Sequence, residues 1–198
     1  GVAADSKISD CVSNVSFTDT DKYINGTVAM CGYAKNSKIE YCQNKGDFSI
    51  TQDVTSFQMG GIVGVADNST VQYCANTGDM TSWAPHTGGI VGQLYQASKI
   101  INCYSTGKMV PLGNGTTEFG GIAGTVGADT EIGHCYFAGE MDLSPQYTAA
   151  TPYKRLGGIA GDVSSNTPAF ENNYFVKLKM SRLALSTRML EQKRPLTL

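Results

Sequence analysis

The sequence predicts an all-β protein, a parallel β-solenoid (β-helix) of about five coils with one coil per ~30-residue repeat. Three observations lead there. A glycine-rich segment recurs four times, as Gly60-Gly61-Ile62-Val63-Gly64, Gly88-Gly89-Ile90-Val91-Gly92, Gly120-Gly121-Ile122-Ala123-Gly124 and Gly157-Gly158-Ile159-Ala160-Gly161. Five of the six cysteines (Cys11, Cys42, Cys74, Cys103, Cys135) lie 31, 32, 29 and 32 residues apart. Glycine makes up 23 of the 198 residues while charged residues reach only 16%. That balance suits a chain of tight bends whose surfaces mostly stack on copies of themselves.

Each ladder cysteine sits in the same local pattern. Three residues before it stand Ile8, Ile39, Val71, Ile100 and Ile132; four after it stand Gly46, Gly78, Gly107 and Gly139. Six after it stand Phe17, Phe48, Met80, Met109 and Met141. No unit of this size buries its own apolar face, so the copies must stack, with equivalent residues ~4.8 Å apart in ladders. Apolar positions three apart cannot both face inward on an alternating strand, which demands a bend between them. Glycines are expected to supply the bends, through positive φ and close backbone stacking.

Taken in order, the repeats fall near 6–27, 28–59, 60–87, 88–119, 120–156 and 157–175. The first is a half-copy that supplies Cys11. The second opens on an eroded segment, Val28-Ala29-Met30-Cys31-Gly32, with Cys31 at the valine position of the glycine motif. The last carries Phe170 and Asn173 in place of the apolar residue and the cysteine. Thiols on such a ladder are expected to be buried and free, because they alternate with Ile, Val and Met. Connections of 11, 7, 10 and 15 residues separate each Phe/Met from the next double glycine, so insertions gather along one edge. Residues 1–175 thus read as the solenoid. Residues 176–198 read as a basic tail or cap with a possible short helix, carrying six basic residues and one acid, Glu191. The rest of the chain then holds 9 basic and 16 acidic residues. Gly1, with no apolar leader after it, reads as a processed or trimmed amino terminus.

The function classes narrow accordingly. A net charge of -2 argues against a nucleic-acid binder, and no apolar run approaches the ~20 residues of a membrane span. Neither CxxC nor Cys/His zinc spacing occurs, nor GxSxG or HExxH, so no catalytic residue, metal ligand or cofactor is assigned. Candidate binding residues are the aromatics of the connections, Trp83, Phe119, Tyr147 and Tyr153 beside Phe57, with Tyr95 just after a glycine segment. Such side chains stack on sugars, anchor a protein partner, or fold back and cover the solenoid. A second candidate is Asp47 with Asp79, which follow successive cysteines by five residues and should point outward one rung apart. Carboxylates ~5 Å apart match the pair of a retaining glycosidase or a calcium site. An ordinary solvated stripe, with Lys108 on the next rung offsetting the repulsion, is the plainer reading.

The GGIVG segments, followed by a hydrophobic-x-x-Cys-Tyr-x-x-Gly pattern seen best at Cys103-Tyr104 and Cys135-Tyr136, resemble the GLUG motif. The resemblance covers residues from about 28 to 175, and Asn172-Asn173-Tyr174 departs from it by losing the cysteine. The motif occurs in bacterial surface proteins, including some IgA-specific peptidases and large adhesin-like proteins. It implies a secreted or cell-surface bacterial protein with a structural or adhesive role toward a host glycan or protein, and carries over no catalytic residue. The alternatives are a carbohydrate-active enzyme on a β-helix, using Asp47 and Asp79, or a spacer beside a peptidase domain.

Overall fold

The computed structural model describes residues 1–19, 29–52, 58–112, 117–142, 155–165 and 167–176. Among them are 26 short strands and no helix, all paired in parallel and in register. Five sheets run along the solenoid. Sheet A holds Val2–Ala4, Cys31–Lys35, Val63–Asp67, Val91–Tyr95, Ala123–Val126 and Ala160–Val163. Sheet B holds Lys7–Ser9, Lys38–Glu40, Thr70–Gln72, Lys99–Ile101, Glu131–Gly133 and Ala169–Glu171. Sheet C holds Val12–Ser13, Gln43–Asn44, Ala75–Asn76, Tyr104–Ser105, Tyr136–Phe137 and Tyr174–Phe175. Sheets D and E have four strands each: Phe17–Asp19, Phe48–Ile50, Met80–Ser82 and Met109–Pro111 in D, then Gln58–Gly60, His86–Gly88, Glu118–Gly120 and Arg155–Gly157 in E. Four turns pass through all five faces, the last through D by the Met109–Met141 bridge alone, and a partial turn lies at each end.

The register confirms the columns. Ile8, Ile39, Val71, Ile100, Ile132 and Phe170 form one rung-to-rung column of sheet B. Cys31 pairs with Val63, which pairs with Val91, as its place in the eroded glycine segment requires. Cys42, Cys74, Cys103 and Cys135 are buried with the isoleucines and methionines in a single core. Stacking satisfies the backbone across turns, as in Ala75 N donating to Cys42 O at 2.9 Å and Tyr104 N to Cys74 O at 3.0 Å.

The expected bend between apolar position and cysteine is present, but glycine does not make it. Tyr41, Tyr73, Asn102 and His134, each immediately before a ladder cysteine, hold φ between 52° and 55°. A second left-handed corner, between sheets A and B, is made by Asp5, Asn36, Asn68, the pair Gln96-Ala97, and Asp129. Each corner residue repeats the strain of the one below it, and cross-turn bonds compensate: Asn68 Nδ2 donates to Asn36 Oδ1 at 2.9 Å, and Asn36 Nδ2 to Asp5 Oδ1 at 3.0 Å.

The double glycines, by contrast, lie outside the left-handed region, and close approach is what requires them. A Cβ on Gly60, Gly88, Gly120 or Gly157 would collide with the carbonyl of residue 63, 91, 123 or 160 across its own turn. On Gly61, Gly89, Gly121 or Gly158 it would run into the sheet C side chain opposite, Asn76, Ser105, Phe137 or Phe175. Gly92, Gly124 and Gly161 lie against the backbones of Met59, Thr87 and Phe119 in sheet E. The variable connections all run from sheet D to sheet E, so the insertions do gather at one corner. No helix among the described residues is long and apolar enough to cross a membrane. The expected C-terminal cap, beyond residue 176, lies outside the described residues.

Candidate functional site

The cysteine ladder is structural. All six thiols are free, five buried and Cys11 half-buried at the end of the stack. Each ladder Sγ donates to the carbonyl two residues back, at 3.2 Å from Cys74 to Gln72 and 3.3 Å from Cys103 to Ile101. Burial pushes the Cys42 thiol up to about 11, and it raises Cys103 as well. Asn173 continues the ladder in amide form: its Oδ1 accepts from Cys135 N at 2.9 Å and its Nδ2 donates to Ile132 O at 2.6 Å. Cys103 makes the same two contacts less strongly, with Cys74 N at 3.4 Å and Val71 O at 3.6 Å.

Asp47 and Asp79 point outward at the C–D corner, as expected. Their carboxylates are engaged by the next turn: Asp47 Oδ1 accepts from Asp79 N at 2.8 Å, and Asp79 Oδ1 from Lys108 N at 2.7 Å. The Lys108 ammonium pairs with Asp142, 2.7 Å away, and the charge of Asp79 acts on it as well, in the direction of the expected offset.

The connection aromatics divide. Phe119 is 0% exposed and belongs to the core, because it stands in sheet E between Thr87 and Leu156 rather than in a projecting loop. Trp83 is half-buried against the core. Phe57, Tyr147 and Tyr153 lie outside the described residues.

His86 opens the sheet E strand His86–Gly88. Sheet E aligns it with Glu118 and Arg155. His86 Nδ1 lies 2.8 Å from both Glu118 Oε2 and Thr125 Oγ1, and Thr125 Oγ1 also donates to Glu118. Arg155 Nη1 bridges Glu118 Oε1 at 3.0 Å and Asp162 Oδ2 at 2.7 Å. Burial pushes the Glu118 carboxyl up, but the bonds from His86 and Thr125 and the charges of His86 and Arg155 outweigh it, and the net shift is downward. Acid and hydroxyl meet the same ring nitrogen, which is not the hydroxyl–imidazole–carboxylate chain of nucleophilic catalysis. No group of three His, Cys, Asp or Glu side chains among the described residues is placed to hold a metal ion.

Two exposed features were not singled out from sequence. The first is tyrosine stacking beside the cysteines: Tyr41 on Tyr73 with centroids 5.1 Å apart, and Tyr104 on Tyr136 at 5.0 Å, both with rings 4° from parallel. Its signal was the Tyr-Cys dipeptide at 41 and 73 and its reversal at 103 and 135. The second is a groove of about 510 Å³ at the A–B corner, lined by Lys35, Asn36, Asp67, Asn68, Tyr95, Gln96, Ala97, Ala128 and Asp129. Tyr95, one of the candidate binding residues, is among those lining this groove. Its phenol is raised by burial and then by the Glu118 charge, so it stays a neutral hydroxyl.

No curated protein and no solved structure gives a match to this chain. Residues 84–109, by contrast, match the family model of the GLUG motif. That stretch is one turn of the solenoid, from Ala84 through the Gly88–Gly92 bend and Cys103 to Met109, and so a single GLUG motif corresponds to one coil of this fold.

Proposed function

We propose that this chain is a non-catalytic structural and adhesive repeat module of a secreted or cell-surface bacterial protein, whose D–E corner contacts a host glycan or protein. The observation that carries the reading is the unbroken in-register ladder, six strands deep in three of its five sheets. Five rung-to-rung steps at ~4.8 Å give a rod about 24 Å long whose length grows with repeat number. Its core is packed with hydrocarbon and thiols, and its long connections collect at one corner, where Trp83 stands. Asp47 and Asp79 favour this reading over a carbohydrate-active enzyme, since each spends a carboxylate oxygen on a backbone amide of the next turn. A spacer role beside a peptidase domain uses the same rod.

Protease shaving of intact source cells, followed by mass spectrometry, tests the placement. Peptides of this chain are expected in the shaved fraction, and their confinement to lysed cells refutes a surface location. A polysaccharide-degradation screen tests the absence of catalysis; cleavage that disappears in Asp79→Asn refutes the non-catalytic reading.

A further inference from the structure

The geometry points to a binding site for a short neutral saccharide in the groove at the A–B corner, with Tyr95 as its stacking platform. The site deepens the adhesive reading and rests on it, but it lies on a different edge from the long connections.

The groove arises from a local change in the repeat. The A–B corner is one left-handed residue at Asn36 and at Asn68, then widens to two at Gln96-Ala97. In the column alongside, sheet A register places Lys35, Asp67 and Tyr95 on successive turns. The next turn offers Gly127, where an added Cβ would lie 3.0 Å from Tyr95 Cδ1. Tyr95 therefore leans into space that any other residue at 127 would contest. Its neighbours in the column are an aspartate and a glycine, and among the described residues it makes no ring stack, whereas Tyr41 stacks on Tyr73 and Tyr104 on Tyr136. Tyr95 is 37% exposed, so ring surface remains for a ligand.

Polar groups surround that ring without partners. Among the described residues, Lys35 Nζ, the Asp129 carboxylate, Asn68 Oδ1 and the Gln96 amide have no hydrogen bond or ion pair, although all line the groove. Asp67 spends Oδ2 on the Tyr33 hydroxyl at 2.6 Å. An aromatic face ringed by mixed donors and acceptors complements a sugar, which has an apolar C–H face and a rim of hydroxyls. A volume of about 510 Å³ falls within the ~300–1,000 Å³ typical of small-molecule sites. Charge selects a neutral sugar: two aspartates face one lysine, so a sulfate or uronate gains nothing. A cation is disfavoured too, because Asp67 and Asp129 stand two turns apart, about 10 Å, too far to share one ion.

The test is a glycan array carrying neutral, uronate-bearing and sulfated oligosaccharides, probed with the full chain and followed by calorimetry on the best hit. Binding of a neutral saccharide is expected, weakened about tenfold or more in Tyr95→Ala and comparably in Gly127→Val, which fills the space under the ring. Tyr136→Ala, in the stacked pair outside the groove, is expected to bind as the parent does, and circular dichroism confirms the folding of all three variants. Preference for charged glycans, binding undiminished in folded Tyr95→Ala, or no saccharide bound at all overturns the inference. Binding retained in Tyr95→Ala but lost in Trp83→Ala places recognition at the D–E corner, which overturns this site and leaves the adhesive reading standing.

Discussion

Replacing Gly89 by alanine tests the central packing claim, that the double glycine exists for close approach and not for backbone freedom. The new Cβ would lie 2.5 Å from Ser105 Oγ and 2.7 Å from Ser105 Cβ, and would also press on the carbonyl oxygen of Gly121 in the next turn. Ordinary contact needs ~3.5 Å, so the surroundings must open by roughly 1 Å, a fifth of a rung. Ser105 is 0% exposed and pinned in a two-residue strand. The Gly121 carbonyl belongs to a turn fixed by Gly89 N to Gly120 O at 3.1 Å, Ile90 N to Ile122 O at 2.9 Å and Gly121 N to Gly157 O at 3.0 Å. Losing two such bonds at about 1 kcal/mol each, on top of ~1–3 kcal/mol for overpacking, gives a destabilisation of roughly 3–5 kcal/mol. Urea unfolding followed by far-UV circular dichroism, with Trp83 fluorescence as a second probe, measures it. Gly133→Ala is the control, since its Cβ would meet the Ile101 Cδ1 methyl at 3.2 Å, the far end of a flexible side chain. If Gly89→Ala unfolds within about 1 kcal/mol of the parent at an unchanged urea slope, the close-approach argument is wrong.

Three further outcomes follow from the ladders. In the folded chain an alkylating reagent should modify Cys11 and spare the five buried cysteines. At Cys42, held at about 11, thiolate is roughly 100-fold scarcer than at an ordinary thiol. Denaturation without reductant should release six, and mass spectrometry reporting fewer would reveal a disulfide. Asn173→Ala should cost about 1–3 kcal/mol by orphaning Cys135 N and Ile132 O, and Asn173→Cys should recover part of it by restoring the thiol; urea midpoints that rank the two the other way refute the amide-for-thiol equivalence. Hydrogen bonds from Lys38 and Lys7 hold the Glu40 carboxyl down to about 2, at 2.8 and 2.6 Å. Because the folded value lies below the unfolded ~4.3, its stabilisation is complete above that pH and lost as pH falls toward 2. Melting temperatures should therefore drop more steeply with acid in the parent than in Glu40→Gln, and parallel curves would contradict the assignment.

The columns of the solenoid were legible because stacking imposes one register on every turn. Ile39, Cys42 and Phe48 recur at fixed spacing since each must meet its copy one rung away, and a one-residue slip would turn an inward ladder outward. The Asn173 substitution was visible as a break in the column, but its equivalence to cysteine was not. An amide that accepts from one turn and donates to another is recognised only once both turns are in place. Phe119 looked like a displayed aromatic because insertions of different length hide where a connection ends and sheet E begins. The cluster of His86, Glu118, Thr125 and Arg155 has no fixed sequence interval either: sheet E pairing aligns His86, Glu118 and Arg155, and Thr125 joins them by side-chain hydrogen bonds from sheet A.

By itself the sequence determined the unit, its inward ladders and the corner where insertions gather, because period and apolar spacing are properties of one turn repeated. Tertiary structure decided what each glycine and each corner is for. The double glycines answer to a carbonyl across the turn and a side chain of the opposite sheet, distances that no local pattern encodes. The left-handed bends fell instead to Tyr41, Tyr73, Asn102 and His134, whose strain is carried by a stacked neighbour above and below. Tyr95 lines a groove for the same reason. Its environment is set by Asp67 and Gly127, residues 28 positions before it and 32 after it that lie one rung away.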